Sequence, residues 1–265
     1  MKGLASVLVT LLLSWTALAG PLELSISGGP AVTSLNDINA AIDVFNRLIT
    51  ALNDTLDVIP GVLGGHVKPL ASMITGIVLC ASERYWVADW IAFGGRFEYS
   101  RLATSTRGQY LGAETSTIDV SAALHNLSIL VGSRVQFLDV GLRLSGDVAV
   151  GYFYSTFDHA VVFEIPSEYP YAISGVPPEG EGRHAGGTFG LEAGLSMSYP
   201  IVDGFSIEVL LAYRSATIPV LTDAGGQSLD FDGNGTPESA TLDGLSVQVG
   251  FSLAIDLSLD GEKGE

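Results

Sequence analysis

Long runs in which apolar residues alternate strictly with small or polar ones constrain this chain more than any other feature. Leu245, Val247, Val249, Phe251, Leu253, Ile255 and Leu257 face one way, and Gly244, Ser246, Gln248, Gly250, Ser252, Ala254 and Asp256 the other. Period two means extended strand, apolar on one face only. Leu138 to Tyr154 repeats the pattern over a length of about 56 Å at ~3.3 Å per residue. Ordinary globular strands run to about 5 or 6 residues, so strand length itself discriminates.

Further segments obey the same rule: Leu22 to Ile26, Ile91 to Tyr99, Phe189 to Tyr199 and Phe205 to Tyr213. Ile118, Val120, Ala122 and Leu124 begin another, whose phase slips near His125 and Asn126, the mark of a bulge. Ile74 to Tyr85 is apolar on both parities and reads as a strand without assigned faces. The predicted total is eight. Short turns are expected at 87–89, 132–136 and 200–204, and long connections at 28–69, 102–114, 158–184 and 218–243. Short turns at one end and long loops at the other select an all-β, antiparallel, up-and-down transmembrane β-barrel over a secreted β-sandwich. Tyr85, Trp86, Trp90, Phe137, Tyr199 and Phe205 cluster near the short turns; Tyr99, Tyr152, Tyr154, Phe189 and Tyr213 lie toward the other ends. Two such belts suit the two interfaces of a bilayer.

The N-terminal residues read as an address. Lys2, the apolar run Leu4 to Leu13 and Ala17-Leu18-Ala19 make a secretory signal over 1–19, leaving 20–265 as one barrel domain. The chain carries 12 basic and 29 acidic side chains for a net charge of −17, which disfavours nucleic acid as a partner. Its single cysteine, Cys80, allows neither an internal disulfide nor a thiolate cluster and reads as a packing residue.

The pattern resembles the small eight-stranded outer-membrane β-barrels of bacteria. The most specific piece is Gln248-Val249-Gly250-Phe251-Ser252-Leu253-Ala254-Ile255, similar to that family's insertion signal, in which Gln248, Gly250, Leu253 and Ile255 fill the polar, glycine and two apolar positions. The resemblance implies the barrel assembly machinery and outer-membrane lipids as partners, periplasmic termini and extracellular long loops. The family usually ends on an aromatic residue, whereas this chain runs on past Leu259 into an acidic tail.

With the small and polar parity inward, the lumen is expected to hold Arg96, Arg143 and Arg214 with Glu98, Asp119, Asp139, Asp147, Glu192, Glu208 and Asp256. Eight strands leave room for side chains or one small ligand, so paired charges fill the bore; the alternative is a narrow cation-preferring path lined by surplus carboxylates. In the connection about 29–69, Ser34 as N-cap with Asp37, then Leu35, Ile38, Ile42, Phe45, Ile49 and Leu52, predicts one amphipathic helix. Its stripe packs on the barrel mouth, lies in the membrane interface or enters the lumen as a plug.

The acidic loop 218–243 contains Asp230-Phe231-Asp232-Gly233-Asn234-Gly235-Thr236-Pro237-Glu238. Asp230, Asp232, Asn234, Thr236 and Glu238 occupy alternate positions, as oxygen ligands do in calcium loops. Thr241 stands where an EF-hand has glutamate, so a weak, loop-stiffening site is expected, against an ordinary Asx/Gly turn. His66, His125, His159 and His184 mark out no nucleophile by spacing. The leading expectation is a non-enzymatic barrel with a filled lumen and a structural or surface-interaction role. The alternatives are the narrow channel or solute transporter and a lipid-modifying enzyme.

Overall fold

Eight long strands close on themselves, each hydrogen-bonded to two antiparallel neighbours, so the ring has no free edge. The structure, a computed structural model, describes residues 20–56, 64–111, 116–164, 180–230 and 235–256; the signal segment lies outside them. In chain order the elements are β1 (Leu22–Ser34), α1 (Asn36–Leu56), β2 (Gly64–His66), β3 (Thr75–Ala88), β4 (Ile91–Leu111), β5 (Ser116–Asp139), β6 (Arg143–Glu164), β7 (Gly180–Val202), β8 (Phe205–Ser215), β9 (Thr217–Ile218), β10 (Ala240–Thr241) and β11 (Asp243–Ile255). The ring runs β4-β3-β1-β11-β8-β7-β6-β5 and back to β4. β1 and β11 close it, from Leu22 opposite Ile255 to Ser34 opposite Asp243. Short β2 adds to the far end of β4, and β9 pairs with β10 apart from the ring.

The outer surface explains the alternation. Ile26, Leu79, Phe97, Val131, Val150, Leu195, Leu211 and Val249 all point outward and are exposed, far more apolar surface than a protein surrounded by water presents. Along β11 the exposed series runs from Leu245 to Ile255, about 33 Å of strand, or about 25 Å of height at a ~40° tilt, the hydrocarbon band of a membrane barrel. Gly250 faces inward, where a Cβ would meet the Ile26 carbonyl oxygen at 2.1 Å; the β1–β11 seam therefore closes only around a glycine here.

Three expectations about the strands need correction. β5 pairs without interruption through His125 and Asn126, and its irregularity falls at Gln136/Leu138. The apparent phase slip is a change in what fills the bore: Ile118, Val120, Ala122 and Leu124 point inward into an apolar core, while Leu127, Ile129 and Val131 take the opposite parity. The middle short turn lies at 140–142 rather than 132–136, leaving Arg134 inside the barrel. Two of the expected long connections begin as strand, with β4 reaching Leu111 and β6 reaching Glu164. The wall thus rises well past the lipid-facing band. Of the near-turn aromatics, Trp86 faces inward, its Nε1 donating to Glu23 Oε2 at 3.1 Å.

α1 begins at Asn36, with the Leu35 carbonyl accepting from the Asn39 amide; Ser34 ends β1 and is not the N-cap. Leu35, Ile38, Ile42 and Ile49 are buried against Leu102, Leu124, Leu130, Phe153 and Phe157 from the strands and Ile218, Leu221 and Leu229 from the last loop. The helix caps the bore from the far end, so the interfacial placement is excluded. Segment 67–73 runs back along α1, held by three asparagines. Asn39, Asn46 and Asn53 each donate through Nδ2 to a backbone carbonyl, of Met73, Leu70 and Val67 respectively. Each also accepts through Oδ1 from the same residue's amide. Seven helical residues rise about 10.5 Å and three extended residues about 10 Å, so a seven-residue helix interval meets a three-residue strap interval and all three rungs stay in step.

Candidate functional site

The lower bore is filled by charge. Inward positions near the short turns bring together Glu23 (β1), Arg84 (β3), Arg96 and Glu98 (β4), Arg134 (β5), Asp147 (β6), Glu192 (β7), Glu208 and Arg214 (β8). Arg134 holds Asp147 by two parallel bonds, Nε to Oδ1 at 2.9 Å and Nη2 to Oδ2 at 3.0 Å, and also bonds Glu208 and, at 3.3 Å, Glu23. Arg84 donates to Glu23 at 3.2 Å and lies 3.7 Å from Asp147. Arg96 bonds Glu192 and lies 3.9 Å from Asp147, joining the lower group to an upper one. In that upper group Arg214 bonds Glu98 and, at 3.2 Å, Glu192. Gln248, wholly buried, donates to Glu98 at 3.3 Å and accepts from Ser27 at 2.8 Å.

Four arginines meet five carboxylates in one connected network whose side chains are at most 14% exposed. Buried charges persist only when paired in this way. A void of ≈ 20 Å³ lies beside Arg84, Arg96, Arg134 and Asp147, enough for about one water. Directly over the network the Arg214 guanidinium stacks on Phe153, 5.1 Å from its ring centroid. Phe153 is fully buried and opens the apolar core that α1 completes. The bore therefore has two seals in series, one ionic and one apolar.

Of the residues expected in the lumen, Arg96, Glu98, Asp147, Glu192, Glu208 and Arg214 are there. Asp119 is not: it lies on the outer wall, paired with Arg107 at 3.4 Å. Asp139 and Arg143 pair at 3.3 Å across the half-exposed middle short turn, and Asp256 is exposed beyond the end of β11. The sequence reading missed Arg84 and Arg134. Arg134 falls within 132–136, whose Gly132 and Ser133 resemble a turn, and Arg84 in a strand that is apolar on both parities, so only the pairing of β3 with β4 gives its face. With these two arginines inside and Asp119, Asp139 and Asp256 outside, little remains of the carboxylate surplus that motivated a cation path.

At the proposed insertion signal, Gln248 and Gly250 point inward and Leu253 and Ile255 outward to the apolar band. In the acidic loop, Asp232 and Asn234 lie outside the described residues. Asp230 Oδ2 accepts from the Gly235 amide at 2.9 Å, Thr236 is exposed and Glu238 half-buried. The Ser239 hydroxyl bonds Asp37 at the start of α1, tying this loop to the helix.

The histidines sit above the apolar band. His159 and His184 stack inside the mouth with centroids 5.6 Å apart. Burial pushes both imidazoles below the usual histidine value, with His184's charge adding to the effect on His159. On the outer wall the Tyr99 hydroxyl and His125 Nδ1 share a hydrogen bond at 2.7 Å, and His125 Nε2 lies 3.7 Å from Asp158. Arg183 donates to both Asp158 oxygens at 2.6 and 2.8 Å, and these hydrogen bonds hold that carboxyl below its ordinary range.

No family model and no curated protein matches the chain. Among solved structures it is similar to the outer membrane protein OprG from Pseudomonas aeruginosa, at 10% identity and a TM-score of 0.42 over 90% of this chain and 97% of that one. It is also similar to Neisserial surface protein A, at 9% identity and 0.43 over 88% and 98%. The outer membrane protease OmpT from Escherichia coli matches at 10% identity and 0.39 over 89% and 97%. At such identities and scores the fold assignment rests on the closed ring itself.

Proposed function

We propose that the protein is an integral barrel of the bacterial outer membrane with a sealed lumen, a non-enzymatic anchor that holds a built surface platform on the cell exterior. One observation carries this reading: the bore is closed twice, by the arginine–carboxylate network and by the apolar core under α1. A conduit needs a continuous polar path, and four arginines against five carboxylates leave little charge surplus to draw cations. The exposed apolar band supports the membrane placement, and the Gln248 to Ile255 pattern supports delivery by the assembly machinery. In this orientation the short turns and termini are periplasmic, and α1, its strap and the last loop face outward.

Calcium belongs to the same reading as a stiffener of that platform. Asp230, Asp232, Asn234, Thr236 and Glu238 would supply hard oxygen ligands, on a loop already tied to α1 through Ser239 and Asp37. Millimolar calcium is expected to protect 230–238 from proteolysis in the wild type and not in Asp232→Ala; equal cleavage with and without calcium excludes the site. The membrane reading is tested by refolding into phosphatidylcholine vesicles. Insertion is expected to give a band whose gel mobility changes on boiling and a lipid-buried apolar belt. A chain that stays in the aqueous phase overturns it.

A further inference from the structure

The outer wall just above the apolar band is not plain. Across β4, β5, β6 and β7 the registers place Arg101 beside His125, Ala123 between Ala103 and Asp158, and Asp158 beside Arg183. The next row out is Ser105, Ser121, Ala160 and Glu181. All of these sit at outward positions, and the small ones form the floor of a depression of ≈ 670 Å³ framed by Arg101, Asp158, Glu181 and Arg183. That volume is in the range of small-ligand sites. One row below, Tyr99 and Tyr154 stand opposite each other across Leu127, where the exposed apolar band gives way to polar wall.

The frame is organised for polar contact. Tyr99, His125, Asp158 and Arg183 form one chain of side-chain contacts across four strands, which fixes Asp158 and Arg183 in place. Arg183 spends two of its five N–H donors on Asp158, leaving three for another acceptor. Arg101 is exposed and makes no ion pair among the described residues. The backbones carrying the two arginines are three strand spacings apart, about 14 Å, a gap of headgroup size. Arginine donors suit phosphate, while Asp158, Glu181 and the serines offer acceptors and hydroxyls for sugar hydroxyl groups.

We propose that this depression binds the phosphorylated-sugar headgroup of a glycolipid, with phosphate on Arg101 and Arg183, sugar hydroxyls on the carboxylate side, and acyl chains running down the aromatic and aliphatic wall below. The inference rests on the membrane reading above. Continuity of the depression with the lipid-facing band favours a lipid over a soluble sugar phosphate.

The test is native mass spectrometry of the full chain folded in dodecylmaltoside. The probes are diacylglucosamine 1-phosphate, unphosphorylated diacylglucosamine and free N-acetylglucosamine 1-phosphate. The expected result is one tightly held phosphorylated lipid, weakened about tenfold by Arg101→Gln with Arg183→Gln and also by Ala123→Leu, which fills the floor. Arg107→Gln, on the same wall but outside the depression, is expected to leave binding unchanged. Equal binding of the free sugar phosphate overturns the lipid source, and equal binding of the unphosphorylated lipid overturns the phosphate assignment. Lipid binding that ignores the two arginines overturns the site. Folding is read separately from gel mobility before and after boiling, so failure of the barrel and failure of the site are distinguishable.

Discussion

The asparagine ladder predicts a measurable local stability. Asn46→Ala removes two hydrogen bonds, the Nδ2 bond to the Leu70 carbonyl at 3.0 Å and the Leu70 amide bond to Oδ1 at 2.7 Å. Each is worth about 1 kcal/mol net, and more where the stranded backbone group stays away from water. Alanine returns about 0.6 kcal/mol of helix propensity. Because the Leu70 amide and carbonyl are partly buried, the net cost is about 2 kcal/mol, or about 30-fold in the opening equilibrium of the strap. Hydrogen exchange read at the Leu70 amide, with Val67 and Met73 as neighbouring rungs, is therefore expected to quicken by about that factor while amides in the ring strands keep their protection. Thr50→Ala serves as control, since the Thr50 hydroxyl donates only to the Asn46 carbonyl on the exposed helix surface. Unchanged exchange at Leu70 in Asn46→Ala, or an equal gain in Thr50→Ala, would refute the ladder as the element that holds the strap.

Arg134→Met leaves Glu208 and Glu23 with Arg84, and Asp147 with Arg84 and the more distant Arg96, and breaking a buried pair costs about 3–5 kcal/mol. The urea midpoint in micelles should fall accordingly, whereas Arg143→Met at the half-exposed rim pair should cost less than about 1 kcal/mol; equal shifts would contradict the network's role. The mouth should loosen in acid. His159 and His184 titrate lower in the folded protein than the ~6.5 of a free imidazole, so the opened state binds protons first. Their contribution is therefore complete above about pH 6.5 and is lost as pH falls below it. Exchange at the Leu221 and Leu229 amides, corrected for its intrinsic pH dependence, should rise from pH 7.5 to 5.5 and lose that rise in His159→Phe with His184→Phe; a rise that survives the double substitution assigns it elsewhere.

The barrel was legible because membrane strands carry one rule for their whole length. With lipid outside and small or polar groups inside, Leu245 to Ile255 or Phe189 to Tyr199 alone give the faces. The rule fails where the inside turns apolar. At Ile118 to Leu124 both the core and the wall below want apolar residues, so a change of neighbour looks like a change of phase. Polar outer rows such as Ala103, Ser105 and Arg107 carry no lipid signal, and only backbone pairing shows that β4 continues through them. Arg134 was hidden by a turn placed too early, at 132–136, where Gly132 and Ser133 mimic turn chemistry inside a strand. The ladder left a readable trace: asparagine is a poor helix former, and three of them at seven-residue intervals on one helix, Asn39, Asn46 and Asn53, had no reason within the helix itself. What they grip, Val67, Leu70 and Met73, follows only once the chain is seen to return.

The sealed bore is the claim on which the functional reading depends, and single-channel recording of the folded protein in a planar bilayer at neutral pH tests it most directly. With folding verified by gel mobility, the account predicts a silent membrane for the wild type. Discrete, cation-selective steps from the wild type would contradict it, since they require a continuous aqueous path through both the Arg134–Asp147 network and the Phe153 core.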